Sequence, residues 1–497
     1  RVATDTLAAA AAAISVRRKE VTPADCVPED IRQGPYAKEA EQVISSMFDA
    51  VHVANIGTLL MSAKVGLANV GLSGSALESV YIRKGRNGDQ VSLVHAALMV
   101  VIGKQLKEAF PDDAVLCPHD PEILAQDEEF CDTVVEFLAD YMKVDGVTSE
   151  TALEWARHCA TADGEALPRR CWAFAPVDST HEFIANKSWT VNLALIEDGK
   201  VVVSGLAGPQ DKFVHWERTK PILDANSIFF AVVDQGAYTQ AVRAKRIDGF
   251  APDKPRLHGR PQRLDVTKKI QGVKDGLWDA LGSEQLNIAT ESSYREDIVL
   301  DIQRIGENLG TKRPKLIMID CALKYVLLAR GQVDLCLWMG YGLYDSTLGT
   351  EKTVNHAAGV LLASEAGAAI ADLDGKDIDW SKPVLASNRG MMAAEPSKLP
   401  MTGMARALGD AKVVSEEKYA DRCQRKKEIS QFLAAFFKNL PSALEAEGED
   451  PAKAATVQKM GEAWMKKREV LDELTKDSLE GDAPIMGEAQ VEDNPFA

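Results

Sequence analysis

Trp172-Ala173-Phe174-Ala175-Pro176-Val177-Asp178-Ser179-Thr180, with the apolar run Thr190 to Ile196 that follows, decides how this chain folds. Leu167 to Val177, Thr190 to Glu197 and Val201 to Leu206 predict strands, with a hairpin turn at Asp198-Gly199. Ile228-Phe229-Phe230-Ala231-Val232-Val233 predicts another strand, and Gln235-Gly236-Ala237-Tyr238 is expected to turn away from it. Upstream, apolar residues recur at helical spacing from Pro35 to Ala68 (Val43, Met47, Val51, Ile56, Leu60), which predicts one long helix. Ser92 to Phe110 predicts a second, capped by Ser92 or Asp89. Val115-Leu116-Cys117 is a short strand candidate, and Glu122 to Tyr141 is expected to be helical. Downstream, helices at Gly272–Leu281, Asp297–Leu309, Ala322–Leu328 and Asn355–Ala366 alternate with strands at Leu316–Ile319 and Val333–Trp338. That alternation predicts an α/β second half, joined near the Pro-rich, basic segment Ala251 to Arg263.

The 497 residues suffice for a large core and two to three domains. A 46% hydrophobic and 26% charged content is that of an ordinary soluble globular protein. No run of about 18 uncharged apolar residues occurs, so no membrane span is expected. The net charge of −17 argues against a broad basic surface gripping nucleic acid, while leaving room for a local pocket that takes a small phosphorylated ligand. Eight cysteines are scattered without CxxC or finger spacing, which fits reduced thiols in a reducing compartment. The chain opens at Arg1 with an Ala-rich stretch, compatible with a mature terminus left after a plastid or mitochondrial address is removed.

The quoted stretch resembles the metal-binding signature of the inositol monophosphatase superfamily, Asp-Pro-(Ile/Leu)-Asp-Gly-Thr, with its first Asp replaced by Ala175. Glu351-Lys352-Thr353-Val354-Asn355-His356-Ala357-Ala358-Gly359, followed by Glu365-Ala366-Gly367 and Asp372…Gly375, resembles the family's second signature. Asp320-Cys321-Ala322-Leu323-Lys324-Tyr325…Leu328-Ala329-Arg330-Gly331 resembles a stretch of the 3′(2′),5′-bisphosphate nucleotidases, as Tyr36-Ala37-Lys38-Glu39 resembles the start of their first helix. The resemblance covers roughly residues 34 to 410. It implies a layered αβαβα sugar-phosphatase fold, of α/β (α+β) class: an N-terminal α+β subdomain at 34–250 and an α/β subdomain at 251–414. Residues 1–33 form a tail and 415–497 a helical, acidic extension.

The family's chemistry places several carboxylates around two or three Mg²⁺ ions, one activating water and the others neutralising phosphate and leaving oxygen. Mg²⁺ is hard and takes oxygen ligands. Carried over residue by residue, five ligand positions fall on His95, Pro118 (with His119 beside it), Ala175, Asp178 and Asn355. Only Asp178 is acidic, and one carboxylate with an Asn carbonyl does not hold a multinuclear Mg²⁺ cluster. The implied reading is a degenerate site without a cofactor, in a non-catalytic structural or regulatory subunit. The alternatives are an active Mg²⁺-dependent bisphosphate nucleotidase or inositol phosphatase with a remodelled site, and a phosphonucleotide-binding sensor.

Vestigial roles then remain for Thr180, which in the family orients the attacking water, and for Ser179, His356, Lys324 and Tyr325, which lie at substrate positions. A sharper reading gathers His95, His119, His181 and His356 with Asp178 into a rebuilt transition-metal site; drift is the plainer one. On that plainer reading Asn355 serves as a helix N-cap, Thr180 caps the next helix, Ala357-Ala358-Gly359 permit close helix packing, and Lys324 is a surface lysine beside a core tyrosine. The extensions, with Phe436-Phe437, Trp464 and Met465, are expected to dock protein partners.

Overall fold

The computed structural model describes residues 21–68, 82–84, 90–159, 166–184, 188–208, 212–215, 218–221, 227–243, 256–268, 286–291, 296–310, 314–339, 351–385, 387–400, 403–404 and 406–411. The helix expected at Gly272–Leu281, the first twenty residues and the extension from 415 lie outside them. The described residues of Arg1–Gly340 and Leu348–Leu408 form one compact unit, which holds every element of the site; of a second, Tyr341–Thr347 with Gly409–Ala497, only 409–411 are described. No helix among the described residues is long and apolar enough to cross a membrane.

Seven strands build the first sheet: β1 (Ala114–Leu116), β2 (Arg170–Asp178), β3 (Thr190–Glu197), β4 (Lys200–Gly208), β5 (Ser227–Val232), β6 (Gly236–Arg243) and β7 (Arg256–Arg263). They lie in the order β7-β6-β5-β4-β3-β2-β1 and pair antiparallel except for β1 with β2. The β3–β4 hairpin turns at Asp198 (φ 49°) and Gly199 (φ 71°), with Glu197 opposite Lys200. Two successive positive φ values are what a twist-compatible two-residue turn needs. β7 tolerates Pro261 because it is a largely exposed edge strand. It lies beyond residue 250, so the first sheet runs on through the segment expected to join the two halves.

A second sheet of β8 (Asn287–Thr290), β9 (Lys315–Met318), β10 (Leu335–Trp338), β11 (Ala369–Ala371) and β12 (Met391–Ala394) has the order β9-β8-β10-β12-β11. Its β8 pairs parallel with both β9 and β10.

The helices that matter here are α1 (Ala37–Ala68), α2 (Leu93–Ala109), α3 (Glu128–Glu136), α4 (Ser149–His158), α5 (Thr180–Ile184), α6 (Glu296–Asn308), α7 (Leu323–Ala329) and α8 (Thr353–Glu365). Strand periodicity divides the core. Along β2, Trp172 and Phe174 enter one apolar cluster with α1 and α2, whereas Ala173 and Ala175 enter another with α7 and α8. Large side chains fill one face, and small ones let a helix approach the other. The second cluster continues through Ala289, Ile317, Cys336 and Ala393 of the second sheet. Helices α7 and α8 therefore lie between two sheets, which explains why their apolar residues are not confined to one stripe. The result is the layered α/β architecture expected from the sequence.

Two local expectations are corrected. Glu122–Tyr141 is not one helix: it breaks at Asp127, whose carboxylate accepts from Phe130 N at 2.8 Å and starts α3 afresh. Gly236 does not turn the chain away but opens β6; the turn sits at Asp234 (φ 61°), and Glu365 accepts from the N–H groups of Asp234 and Gly236. Tyr36 and Glu39 tie α1 to the start of β2, for Arg170 reaches Glu39, Asp113 and Glu197 at 2.9 Å and Tyr36 Oη donates to Glu197. Burial works against the Arg170 guanidinium, but hydrogen bonds to these three carboxylates raise its pKa above the ordinary value. The seven described cysteines form no disulfide.

Candidate functional site

The end of β2 carries the signature. A bulge between Ala175 and Asp178 interrupts its pairing with β3, and Ser179 takes φ +71°, a left-handed conformation that favours glycine. The turn of the family's Asp-Gly-Thr is thus kept without the glycine. Asp178 is 6% exposed, and its Oδ2 accepts from Ala322 N (2.7 Å), Asn192 Nδ2 (3.0 Å) and Thr190 Oγ1 (3.4 Å). Burial raises its pKa, against the charge of Lys324 and the bonds from Asn192 and the Ala322 N–H. Three protein donors therefore already engage an oxygen of the retained carboxylate. Ala175, 1% exposed, sits among apolar residues of the core against α8 and brings no lone pair.

His95, fully buried in the first turn of α2, occupies another ligand position. Its Nδ1 accepts from Ser92 N (3.2 Å) and lies 2.7 Å from Ser92 Oγ, which completes a capping box and resolves the cap in favour of Ser92. That pattern assigns the proton to Nε2, which donates to Thr180 Oγ1 at 3.2 Å. Burial pushes the His95 pKa well below the ordinary histidine value, and neighbouring His119, packed edge-to-face at 4.7 Å, adds to the shift. Thr180 is thereby bound to an uncharged imidazole and is the first residue of α5 rather than its cap.

Asn355 is the third residue of α8, not its N-cap; Lys352 holds that position, and Asn355 Nδ2 donates to Glu351 Oε1 at 2.7 Å. His356 Nε2 lies 3.2 Å from the same oxygen, and Nδ1 lies 2.7 Å from Tyr325 Oη. Burial pushes the Glu351 carboxyl up, but the bonds from His356 and Asn355 and the charge of Lys324 outweigh it and hold its pKa down. Tyr325, 1% exposed, is a core residue whose hydroxyl pKa burial drives well up.

Lys324 departs from expectation. It is 2% exposed rather than at the surface, with Nζ donating to the carbonyls of Asp320 (3.1 Å) and Cys321 (3.4 Å). Its positive charge draws down the pKa values of Asp178, Glu291 and Glu351. The histidines do not form one site. His95 pairs with His119, His356 with Tyr325 and Glu351, and exposed His181 lies against Glu182 and Asp320, at 3.4 and 3.2 Å.

Ser179 Oγ also donates to Asp320 Oδ2 at 3.4 Å. Glu182 and Glu291 were not singled out from the sequence, yet a signal exists. Glu291 and Asp320 follow the ends of the adjacent parallel strands β8 and β9, where open α/β sheets present their ligand-binding edge.

The donor set does not fit the family's Mg²⁺ cluster. At the five ligand positions stand an uncharged buried imidazole, a proline, a buried alanine, an asparagine bonded to Glu351 and one carboxylate already bonded to protein donors. No step through Mg²⁺ follows from these residues.

A profile of the Inositol monophosphatase family matches residues 83–412. The 3′(2′),5′-bisphosphate nucleotidase 1 of Candida albicans (strain WO-1) is 25% identical over 317 residues, 61% of this chain and 80% of that one. A probable 3′(2′),5′-bisphosphate nucleotidase 4 of Arabidopsis thaliana is 30% identical over 213 residues, 43% and 51% of the two chains. Among solved structures, the extragenic suppressor protein suhB of Bartonella henselae superposes with a TM-score of 0.40 at 15% identity, covering 74% of this chain and 98% of that one. By the extent of the profile match and the order of its motifs, this chain belongs to the inositol monophosphatase family.

Proposed function

We propose that this chain is a bisphosphate-nucleotidase-like protein that has lost the family's Mg²⁺-dependent hydrolysis and serves as a structural or regulatory subunit. One observation carries the reading. The signature's first carboxylate is replaced by Ala175, packed into an apolar core, while the remaining Asp178 is held by Ala322 N, Asn192 and Thr190. Each lost carboxylate removes attraction for a divalent ion, and the protein donors on Asp178 compete for what is left. The partner-docking role assigned to the N- and C-terminal extensions belongs to the same proposal.

A second reading, an active 3′(2′),5′-bisphosphate nucleotidase with a remodelled site, is favoured by the names of the relatives, which support it more directly than they support inactivity. Buried Lys324 favours it too, since a retained ammonium is suited to hold a phosphate as a point charge. Phosphate release from 3′-phosphoadenosine 5′-phosphate, measured with Mg²⁺ and with Mn²⁺, separates the two. The first reading expects no release above buffer; turnover abolished by Asp178→Asn overturns it in favour of the second. A thermal shift with the nucleotide but no release would make the chain a phosphonucleotide sensor.

A further inference from the structure

Three donor atoms outside the family's ligand positions converge beside Ser179. His181 Nε2 lies 3.2 Å from Asp320 Oδ2 and 3.4 Å from Glu182 Oε1, and one ligand atom from each residue falls within 4.8 Å of the other two. A tetrahedral ion with bonds of about 2.0–2.1 Å has ligand atoms separated by about 3.3 Å, so two edges of such a polyhedron are already in place. The three residues come from two segments, α5 and the residues just after β9. Glu182 and Asp320 are largely covered, whereas the His181 side chain is 61% exposed, which leaves one side open to solvent.

A second observation points to the same place. Glu291, one strand over at the end of β8, is 9% exposed, and its Oε1 has no hydrogen-bond partner. Glu291 Oε1, buried without a donor, and Asp320 stand at the ends of the adjacent strands β8 and β9, and a divalent cation beside Asp320 brings positive charge to that edge.

We propose that His181, Glu182 and Asp320 bind a single Zn²⁺ ion, with solvent completing its coordination. An imidazole with two carboxylates suits this borderline ion, which accepts four-coordination, and disfavours Mg²⁺, which demands six oxygens. The site shares no residue with the five family positions, and Zn²⁺ binding there is independent of whether the chain turns over a nucleotide.

Calorimetric titration of the EDTA-treated full chain with Zn²⁺ tests this, alongside Co²⁺ as a visible-absorption probe. One equivalent of Zn²⁺ is expected to bind, with Co²⁺ giving the intense d–d bands of a low-coordinate site and Mg²⁺ not competing. His181→Ala, at an exposed position that does not threaten folding, should weaken Zn²⁺ binding more than about tenfold, and Asp320→Asn likewise. Absence of Zn²⁺ binding overturns the proposal, as does binding unchanged in His181→Ala or a purely octahedral Co²⁺ spectrum.

Discussion

Ser179 shows how a backbone outlives its reason. Its φ of +71° costs a residue with a Cβ about 1–2 kcal/mol, and glycine, the family's choice, does not carry that strain. Glycine instead gives up about 0.5–1 kcal/mol more chain entropy on folding. The Ser179 Oγ bond to Asp320 is long, at 3.4 Å, and only part-buried, so it offsets little. Strain is the largest of these terms, so Ser179→Gly should stabilise the protein by about 0.5 kcal/mol, read as a higher urea midpoint. A lower midpoint would mean that the Ser179–Asp320 bond outweighs the strain. At this scale the sequence was legible where motifs align without gaps: Ala175 and Asn355 could be named as replaced carboxylates before any coordinates. What those residues do was not. That His95 holds Thr180 depends on bringing residues 85 apart in the chain into hydrogen-bond contact, and no spacing rule reports such a contact.

Among elements, α8 is the one most constrained. It lies between two sheets, and Gly359 faces α7: a Cβ there would sit 2.3 Å from Tyr325 Cδ2 and 2.9 Å from Cγ. The ring has little room to retreat, because Tyr325 is fully buried and its hydroxyl lies 2.7 Å from His356 Nδ1. Alanine is the better helix former by about 1 kcal/mol, but overpacking a closed core costs about 1–3 kcal/mol. Gly359→Ala should therefore destabilise the protein by up to about 2 kcal/mol in equilibrium denaturation; a gain in stability would show that α7 and α8 are loosely packed. Close packing through Ala357-Ala358-Gly359 was foreseeable from residue size alone. The break at Asp127 was harder to see, because the apolar periodicity runs through it and only the capping carboxylate interrupts the helix. Strands β2 to β5 were readable because both faces are buried and their apolar runs are unbroken, whereas β7, an exposed edge containing Pro261, looked like a linker.

For the molecule as a whole, the buried groups of the site leave opposite marks on the pH dependence of folding. His95 has its pKa pushed well below 6.5 by burial, so the folded state binds fewer protons than the unfolded chain, and stability falls as pH drops below that value. Glu291 acts in the other direction. An ordinary glutamate titrates near 4.5 and Glu291 at about 8, raised by burial and by Glu351 and Asp320 against the pull of Lys324. Between those two values the folded state carries the extra proton. Stability from this group is therefore complete below pH 4.5, declines by at most about 1.4 kcal/mol per pH unit as pH rises, and is gone above about 8. Glu291→Gln keeps the shape and cannot ionise, so it isolates the effect from every other titrating group. In EDTA, the stability of Glu291→Gln relative to the native chain should be flat below pH 4.5, climb through the interval and level off above about 8. A difference that stays constant across the range would mean that Glu291 is already ionised in the folded protein at neutral pH, with Lys324 neutralising it.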